Sequence, residues 1–564
     1  MKDTNKIFYL LLFVVALAVN FAGINVNFFT DDPGLYATIA KTLLYKKDFF
    51  ELYTYNQDWL DKPHFPFWMV LASFKLFGVS VWAYRLPALL FFTLSLVYTW
   101  LLARRYYGWQ VAFTAVMILM TAVEVLLSNT DTRAEPYLMA LIPGAIYHIA
   151  KLNERYSWGQ LLMAALLTAC AIMTKGIFVV IAIYGALLGQ LIFQKQFKQV
   201  FKLKWLALGV LTIVFVLPEL YALYTQFDLH PEKTVFGRHN VSGIKWFLWD
   251  SQFGRFINSG PISREDTGSK FFYLHTLLWA FAPWCLVFYY AVFKNIKQIF
   301  RGEKLAEYYT ACGGLLLLVL FSLSGFQLPF YTNSVFPLFA IFTAPFYVNQ
   351  LSKLEEKFRT ISQWVFIILL PIVVAILNYF LRPANYLLFW VDVVLFGLII
   401  FAAIIRIRQA HFRLFVFSCA AALFVGFYLN TVLFNQITPY KGEIAAAQYI
   451  NQKQFDSVHI YSVKFENNNF QFYCKRPVDF VPIDKFDQFT STEASVFYVN
   501  GRSMDTLVKR RAKFTILKSF INYPQENIMP RFINKTTRHD VLNHVFLITR
   551  LVAGHSNSVM SLKN

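Results

Sequence analysis

The chain has 564 residues, of which 57% are hydrophobic, 19% aromatic and only 15% charged, and its mean hydropathy is +0.47. This composition excludes a soluble globular protein and predicts a polytopic α-helical membrane protein. The formal charge of +20 could indicate a nucleic-acid partner, but lysine and arginine fall mainly between apolar segments and in the C-terminal tail. We therefore assign the charge to membrane topology and anionic headgroups, and we predict no nucleic-acid binding.

Apolar runs of about 17 to 25 residues predict about thirteen transmembrane helices. The first run, residues 7–26, is long enough to span a bilayer and lacks a clear small-residue cleavage site, so we interpret it as a retained helix and not as a signal peptide. The other predicted spans are 85–102, 111–127, 136–150, 160–174, 177–193, 205–224, 271–293, 308–323, 331–348, 361–381, 387–405 and 412–433.

Every second loop between these spans is rich in lysine and arginine, for example 195–204, 294–304 and 406–413. Positively charged loops stay on the cytoplasmic side, so the pattern places the N-terminus in the cytoplasm. An odd number of spans then places the tail on the opposite, extracytoplasmic side. We predict an integral protein of the cytoplasmic (inner) membrane.

The first outer loop carries an unusual set of charges. Asp31 and Asp32 follow directly on the first span, and Asp61-Lys62-Pro63 precedes an aromatic segment, FPFW. Asp32 before Pro33 is typical of a helix start, although a carboxylate held there can also accept a proton. The sequence offers no such structural reason for Asp31. Lys62 could serve only as a snorkelling anchor, but one loop thus supplies two acids and a base at one membrane surface.

The composition changes at about residue 438. A helical pattern, YKGEIAAAQYI, is followed by short strand-like runs such as SVHIYSV, FQFYCK, ASVFYVN and FTILKSF, without a phosphate loop, nucleophile motif or metal motif. We predict two domains. Residues 1–437 form the membrane domain, with outer loops at 27–84 and 225–270 that include short amphipathic helices at 33–46 and 65–77. Residues 438–564 form a small extracytoplasmic α/β domain.

Several of these segments, in their order along the chain, resemble one known family. They are DDPGLYATIAK, DKPHFPFW, FGVSVWAYRLPALL, TDTRAEPYL, IMTKG, WDSQFGRF and FSLSGFQLPFYTNSVFPLFA. The set is similar to membrane glycosyltransferases of the GT-C class, in the branch that contains bacterial lipid A aminoarabinose transferases and relatives of protein O-mannosyltransferases. The chain departs from the family pattern in two places. Gln327 replaces a usual lysine, and His64 and Phe65 replace the prolines or small residues often found after Lys-Pro.

The resemblance implies a sugar donor carried on polyprenyl phosphate and an acceptor with a hydroxyl group. Cleavage leaves negative charge on the lipid phosphate, and we expect Lys62 and Arg255 to face it, with Tyr331 as a hydrogen-bond donor. We assign the general base to Asp32, with Asp31 second and Glu135 orienting acceptor or sugar. The matching segments add three candidates for substrate binding, which are Tyr36, Lys175 and Arg133.

Asp32, Lys62 and Arg255 are expected to line one cavity open to the hydrocarbon. No cofactor is certain, although Asp61 could hold a divalent metal ion. Lipid A, another glycan, a glycolipid or a protein would each present a suitable hydroxyl. The main alternative is a secondary transporter or lipid flippase, but such proteins place polar groups near the midplane, whereas the motifs here gather in outer loops.

Overall fold

A computed structural model of the protein describes residues 3–55, 57–264, 268–464, 467–488 and 494–550. Most of the described chain up to residue 437 is helical. Its α-helices are α1 Asp3–Phe21, α2 Asp31–Lys46, α3 Phe65–Phe77, α4 Val81–Tyr107, α5 Trp109–Met120, α6 Val123–Ser128, α7 Glu135–Glu154, α8 Trp158–Lys175, α9 Val179–Phe193, α10 Phe197–Val200, α11 Leu203–Leu223, α12 Gly243–Lys245, α13 Ser251–Phe256, α14 Phe272–Ala280, α15 Cys285–Phe300, α16 Tyr309–Leu323, α17 Phe336–Thr343, α18 Pro345–Val348, α19 Lys353–Leu381, α20 Leu387–Arg406, α21 Ala410–Phe427 and α22 Phe434–Ile437.

Six helical segments of the described chain are long and apolar enough to cross a membrane. They are Val81–Tyr107, Trp158–Lys175, Phe197–Asp228, Lys353–Leu381, Leu387–Arg406 and Ala410–Tyr440. Shorter apolar helices, such as α5, α9 and α16, pack among them. These helices confirm the predicted polytopic α-helical class, while the predicted number of thirteen spans stays a prediction.

The ends of several helices follow from local sequence. The Ser80 hydroxyl accepts a hydrogen bond from the Ala83 N–H at the start of α4, and Ser352 with Glu355 forms a complete capping box at the start of α19. Gly176 ends α8 with a φ of 113°, a conformation that favours glycine. A Cβ atom at Gly176 would also collide with the Gln252 side chain, so the turn after Lys175 needs this residue.

The two short helices predicted in the first outer loop are present as α2 and α3. They pack on each other around Ala37, Ile39, Phe67 and Phe74. Helix α2 begins at Asp31, with Thr30 as its N-cap, so Asp32 lies in the first turn and is not the capping residue. Both carboxylates still stabilise this end of the helix, because the helix macrodipole is positive at its N-terminus.

After the membrane helices, the chain forms one small mixed sheet. Strands β1 (Tyr53–Thr54) and β2 (Gln57–Asp58) form a separate hairpin in the first loop. The C-terminal sheet has the order β4-β3-β5-β7-β6, in which β4, β3 and β5 run parallel and β7 and β6 pair antiparallel. Its strands are β3 His459–Val463, β4 Asp479–Val481, β5 Ser495–Asn500, β6 Phe514–Asn522 and β7 Asn543–Arg550, and its α-helices are α23 Gly442–Ile450, α24 Asn468–Tyr473, α25 Gly501–Lys509 and α26 Pro530–Ile533.

The prediction of a strand at FQFYCK is wrong, because this segment forms the short helix α24. The Asn467 side chain caps its first turn by accepting a hydrogen bond from the Phe470 N–H. At its other end the buried Lys41 ammonium, from α2, donates to the backbone carbonyls of Gln471, Phe472 and Cys474. The Asn467 cap and the contacts with α2 both favour a helix in this segment, and the contacts with α2 join the tail to the first outer loop.

Candidate active site

A cavity of about 420 Å³ lies where the first outer loop, α8 and α13 meet. Four of the predicted substrate-binding residues line it, namely Lys62, Lys175, Arg255 and Tyr331. Most of the remaining wall is apolar and is formed by Ile177, Phe178, Val180, Ile181, Phe253, Phe256, Leu320, Phe321 and Phe326. Ile177 and Ile181 are 42% and 40% exposed, so the cavity borders an apolar surface of the helical bundle.

Asp61 holds two of the cations in place. Lys62 Nζ lies 2.6 Å from Asp61 Oδ2, and the Arg255 guanidinium contacts Oδ1. Burial raises the pKa of Asp61, but the charges of Lys62 and Arg255 outweigh it and hold the pKa below its usual value. Burial lowers the pKa of Lys62, and the Arg255 charge lowers it further. The carboxylate thus compensates two cations that would otherwise repel each other.

The third cation, Lys175, is the last residue of α8 and pairs with Glu135, the first residue of α7. Both side chains are more than nine-tenths buried. Lys175 Nζ also lies 3.8 Å from the centre of the Tyr331 ring, which extends from a 3₁₀ helix at Pro329–Val335. Glu135, predicted to orient a substrate, therefore contacts a cavity cation directly.

Asp32 lies beside the cavity but does not line it, so the expectation of one cavity shared by Asp32, Lys62 and Arg255 is wrong for Asp32. Its carboxylate turns toward Arg133, whose Nε lies 2.8 Å away, and the side chain is 46% exposed. The Arg133 guanidinium stacks 4.1 Å from the centre of the Phe330 ring, next to Tyr331. The negative charge of Asp32 nevertheless raises the pKa of Lys62, against the effect of burial.

Arg133 connects two carboxylates. Besides Asp32 it binds Asp131, with 2.9 Å between the Arg133 terminal nitrogen and Asp131 Oδ2. Burial lowers the pKa of Arg133, but the charges of Asp131 and Asp32 outweigh this effect and raise the pKa above its usual value. The guanidinium stays charged and forms an ion pair with Asp32.

Asp31 has a structural partner, contrary to the interpretation from sequence. Its carboxylate accepts hydrogen bonds from the Asn468 backbone N–H at 3.2 Å and from the Asn468 side-chain amide at 2.6 Å. Burial raises the pKa of Asp31 to about 7, against the opposing effect of the Asn468 bond. Sequence gave no sign of this contact, because the partner lies more than 400 residues later.

Tyr36 and Asp61 are the remaining candidates. Tyr36 is 6% exposed and packs against Phe67, with 5.2 Å between ring centres, and it does not line the cavity. A divalent cation at Asp61 would have to displace Lys62 or Arg255. No group of three or more His, Cys, Asp or Glu residues in the described chain could hold a metal ion. The metal role of Asp61 stays a prediction.

Sequence reasoning missed several residues of this region. Phe330 carries the stacked Arg133, Asn468 holds Asp31, and Glu219 binds His64. A charged residue inside an apolar run, such as Glu219, is the signal that could have drawn attention to the last contact. The contacts of Phe330 and Asn468 depend on tertiary structure, and no local pattern marks them.

Residues 61–221 match the family model described as dolichyl-phosphate-mannose-protein mannosyltransferase. The crystal structure of ArnT from Cupriavidus metallidurans bound to undecaprenyl phosphate superposes with a TM-score of 0.72 at 16% identity, covering 96% of this chain and 98% of that one. The chain has the fold of ArnT. This result confirms the predicted GT-C type of fold, including its small C-terminal sheet domain.

Sequence relatives point the same way. An uncharacterised protein of Aquifex aeolicus (strain VF5) is 23% identical over 520 residues, covering 87% of this chain and 95% of the relative. An undecaprenyl phosphate-alpha-4-amino-4-deoxy-L-arabinose arabinosyl transferase of Erwinia tasmaniensis is 23% identical over 348 residues, covering 60% of this chain and 58% of the relative. With the ArnT fold, these matches confirm the predicted resemblance to membrane glycosyltransferases.

Proposed function

We propose that the chain is an inverting glycosyltransferase that moves a sugar from a polyprenyl-phosphate donor to a hydroxyl group of an acceptor. The observation that carries the proposal is the cavity, in which Lys62, Lys175 and Arg255 converge beside a wall of apolar side chains. A polyprenyl phosphate has the matching chemistry, with an anionic head and a hydrocarbon tail. The family match and the ArnT fold support the same class of donor.

In this mechanism the departing phosphate is the group that needs stabilisation. As the bond between the anomeric carbon and the phosphate oxygen breaks, the electron pair stays with the phosphate, where the three cations stabilise it. Tyr331 can donate a hydrogen bond from the same wall. Because Asp61 and Glu135 already compensate the cations, the phosphate competes with these carboxylates for the same nitrogens.

Asp32 is the proposed general base. The acceptor oxygen forms a bond to the anomeric carbon and gives its proton to the Asp32 carboxylate, so a single displacement inverts the anomeric configuration. Asp32 is suited to this role because its side chain is 46% exposed and Arg133 orients it. Asp31 is less suited, since its oxygens accept both Asn468 bonds.

We place the reaction at the extracytoplasmic face of the cytoplasmic membrane, where the basic loops predict that the first outer loop lies. The acceptor is a hydroxyl-bearing component of the cell envelope, with lipid A, a glycan, a glycolipid and a protein as the candidate classes. The sugar is transferred without nucleic acid as a partner.

The test has two parts. Mass spectrometry of envelope lipids and glycans from cells with and without the gene should reveal one sugar whose attachment depends on it. Purified protein in nanodiscs should then transfer that sugar from its polyprenyl phosphate, with loss of transfer in Lys62→Ala and normal transfer in Lys304→Ala, an exposed lysine outside the cavity. Equal activity of both variants, or carrier movement across vesicles without sugar transfer, would refute the proposal.

A further inference from the structure

His64, the residue after Lys62-Pro63, is buried, and both of its ring nitrogens are hydrogen-bonded. The side chains of His64 and Glu219 have no exposed surface, and 2.9 Å separates His64 Nδ1 from Glu219 Oε1. The other carboxylate oxygen accepts a 3.0 Å hydrogen bond from the His64 backbone N–H. On the far side of the ring, Nε2 lies 2.9 Å from the Phe50 carbonyl oxygen. His64 therefore connects the loop before α3 with α11 and with the turn at residue 50.

The hydrogen bonds of His64 determine how many protons the pair holds. A carbonyl oxygen can only accept, so Nε2 donates to Phe50. Nδ1 then either donates to an ionised Glu219 or accepts from a protonated one. In both arrangements the pair is neutral overall, which a fully buried site within an apolar helix requires.

The pair lies directly beside the proposed phosphate site. Glu219 lines a narrow crevice together with Asp61, Lys62 and Lys175. His64 is two residues from Lys62, and the intervening Pro63 restricts the backbone between them. Any movement of His64 away from α11 would therefore carry Lys62 with it.

We infer that His64 is a positioning residue, which with Glu219 fixes the Asp61–Pro63 segment against α11 and so places Lys62 in the cavity. This inference rests on the proposed function only for the role of Lys62 toward the donor phosphate. The placement of Lys62 itself can be measured without any transfer reaction.

Three variants separate positioning from general stability. His64→Leu removes both ring bonds and leaves Glu219 buried with one donor. The double variant His64→Leu/Glu219→Leu removes the buried carboxyl group as well, and apolar replacement of a buried pair is often tolerated. Glu219→Gln is the matched control, because its amide can donate to Nδ1 while its oxygen accepts from the His64 N–H, which preserves the geometry.

We expect His64→Leu to raise the KM for the polyprenyl-phosphate sugar about tenfold and to lower kcat as well, because a misplaced Lys62 binds the donor less well and stabilises the departing phosphate less. The double variant should regain thermal stability but keep the raised KM. Glu219→Gln should stay within about twofold of wild type, since no hydrogen bond is lost. If the pair contributed only to stability, the KM would recover together with thermal stability in the double variant. That result would overturn the inference.

The second measurement is the labelling of Lys62 by an amine-reactive ester in nanodiscs, followed by peptide mass spectrometry. Lys62 is 20% exposed, and a displaced segment should make it react faster in His64→Leu and in the double variant, with Lys304 as the internal reference. Unchanged labelling in both variants would refute the positioning role. If wild-type protein transfers no sugar while the labelling changes as expected, the proposed function fails and the positioning role stands.

Discussion

The substitution Asp32→Asn keeps the shape of the side chain but removes the proposed proton acceptor. A general base contributes about 10²- to 10⁴-fold to a rate, so kcat should fall by that factor, equivalent to about 2.7–5.4 kcal/mol in the activation barrier. The KM for the donor should change little, because Asp32 does not line the cavity that holds the donor phosphate in our proposal. Stability should change little too, since an ion pair of a side chain 46% exposed is worth about 0–1 kcal/mol.

Asp131→Asn supplies the matched control. Asp131 binds the same guanidinium as Asp32, at 2.9 Å against 2.8 Å, and is less exposed, at 23%. If Asp32 acted only by orienting Arg133, the two variants would lose similar activity. The assay is sugar transfer by purified protein in nanodiscs, with kcat and KM determined separately for each variant. A loss below about tenfold for Asp32→Asn, or an equal loss for Asp131→Asn, would remove Asp32 as the base.

Three further predictions concern the tail contact, pH and the donor site. Lys41→Met should lower the free energy of unfolding by about 2–4 kcal/mol, since three buried carbonyls lose their donor, and should speed protease cleavage of the tail. Burial raises the pKa of Asp31 from 3.8 to about 7, so the folded protein binds this proton more tightly than the unfolded chain. The resulting contribution to stability is fully present below about pH 4 and is lost as the pH rises through 7. Asp31→Asn should therefore flatten the fall in Tm between about pH 4 and 7, and an unchanged slope would contradict this assignment. Arg255→Ala should raise the donor KM about 10- to 100-fold, measured by the same transfer assay, and an unaltered KM would exclude contact with the phosphate.

Local patterns predicted the elements whose contacts are short in sequence. The apolar spacing of residues 33–46 and 65–77 gave α2 and α3 nearly at their observed bounds, because each helix buries a stripe against its neighbour. The strand predicted at FQFYCK is wrong because six residues carry little intrinsic preference. A local cap by Asn467 and a distant contact from Lys41 both favour the helix.

The same distinction between local patterns and tertiary contacts holds for the candidate active site. Lys62, Lys175, Arg255 and Tyr331 were predicted to bind substrate from the segments that resemble the glycosyltransferase family, and the structure brings all four to one cavity. The pairing of Lys175 with Glu135 could not be predicted, because it joins the ends of two different helices. The same limit applies to Asp31, whose partner Asn468 lies in the tail. The sequence thus indicates which charged residues exist, and the tertiary fold decides which of them remain available to bind a ligand.

The pairing of these charges limits how the site can work. Each of the four cations of this region, Lys62, Arg255, Lys175 and Arg133, contacts a carboxylate. Asp61 pairs with Lys62 and Arg255, Glu135 pairs with Lys175, and both Asp131 and Asp32 pair with Arg133. Four cations face four carboxylates, so the group carries no net charge before a ligand binds. An entering phosphate therefore gains little from a general positive field and must take individual hydrogen bonds from the carboxylates. In our proposal these exchanges also return the cations to their carboxylates once the lipid phosphate leaves, which favours release of the spent carrier.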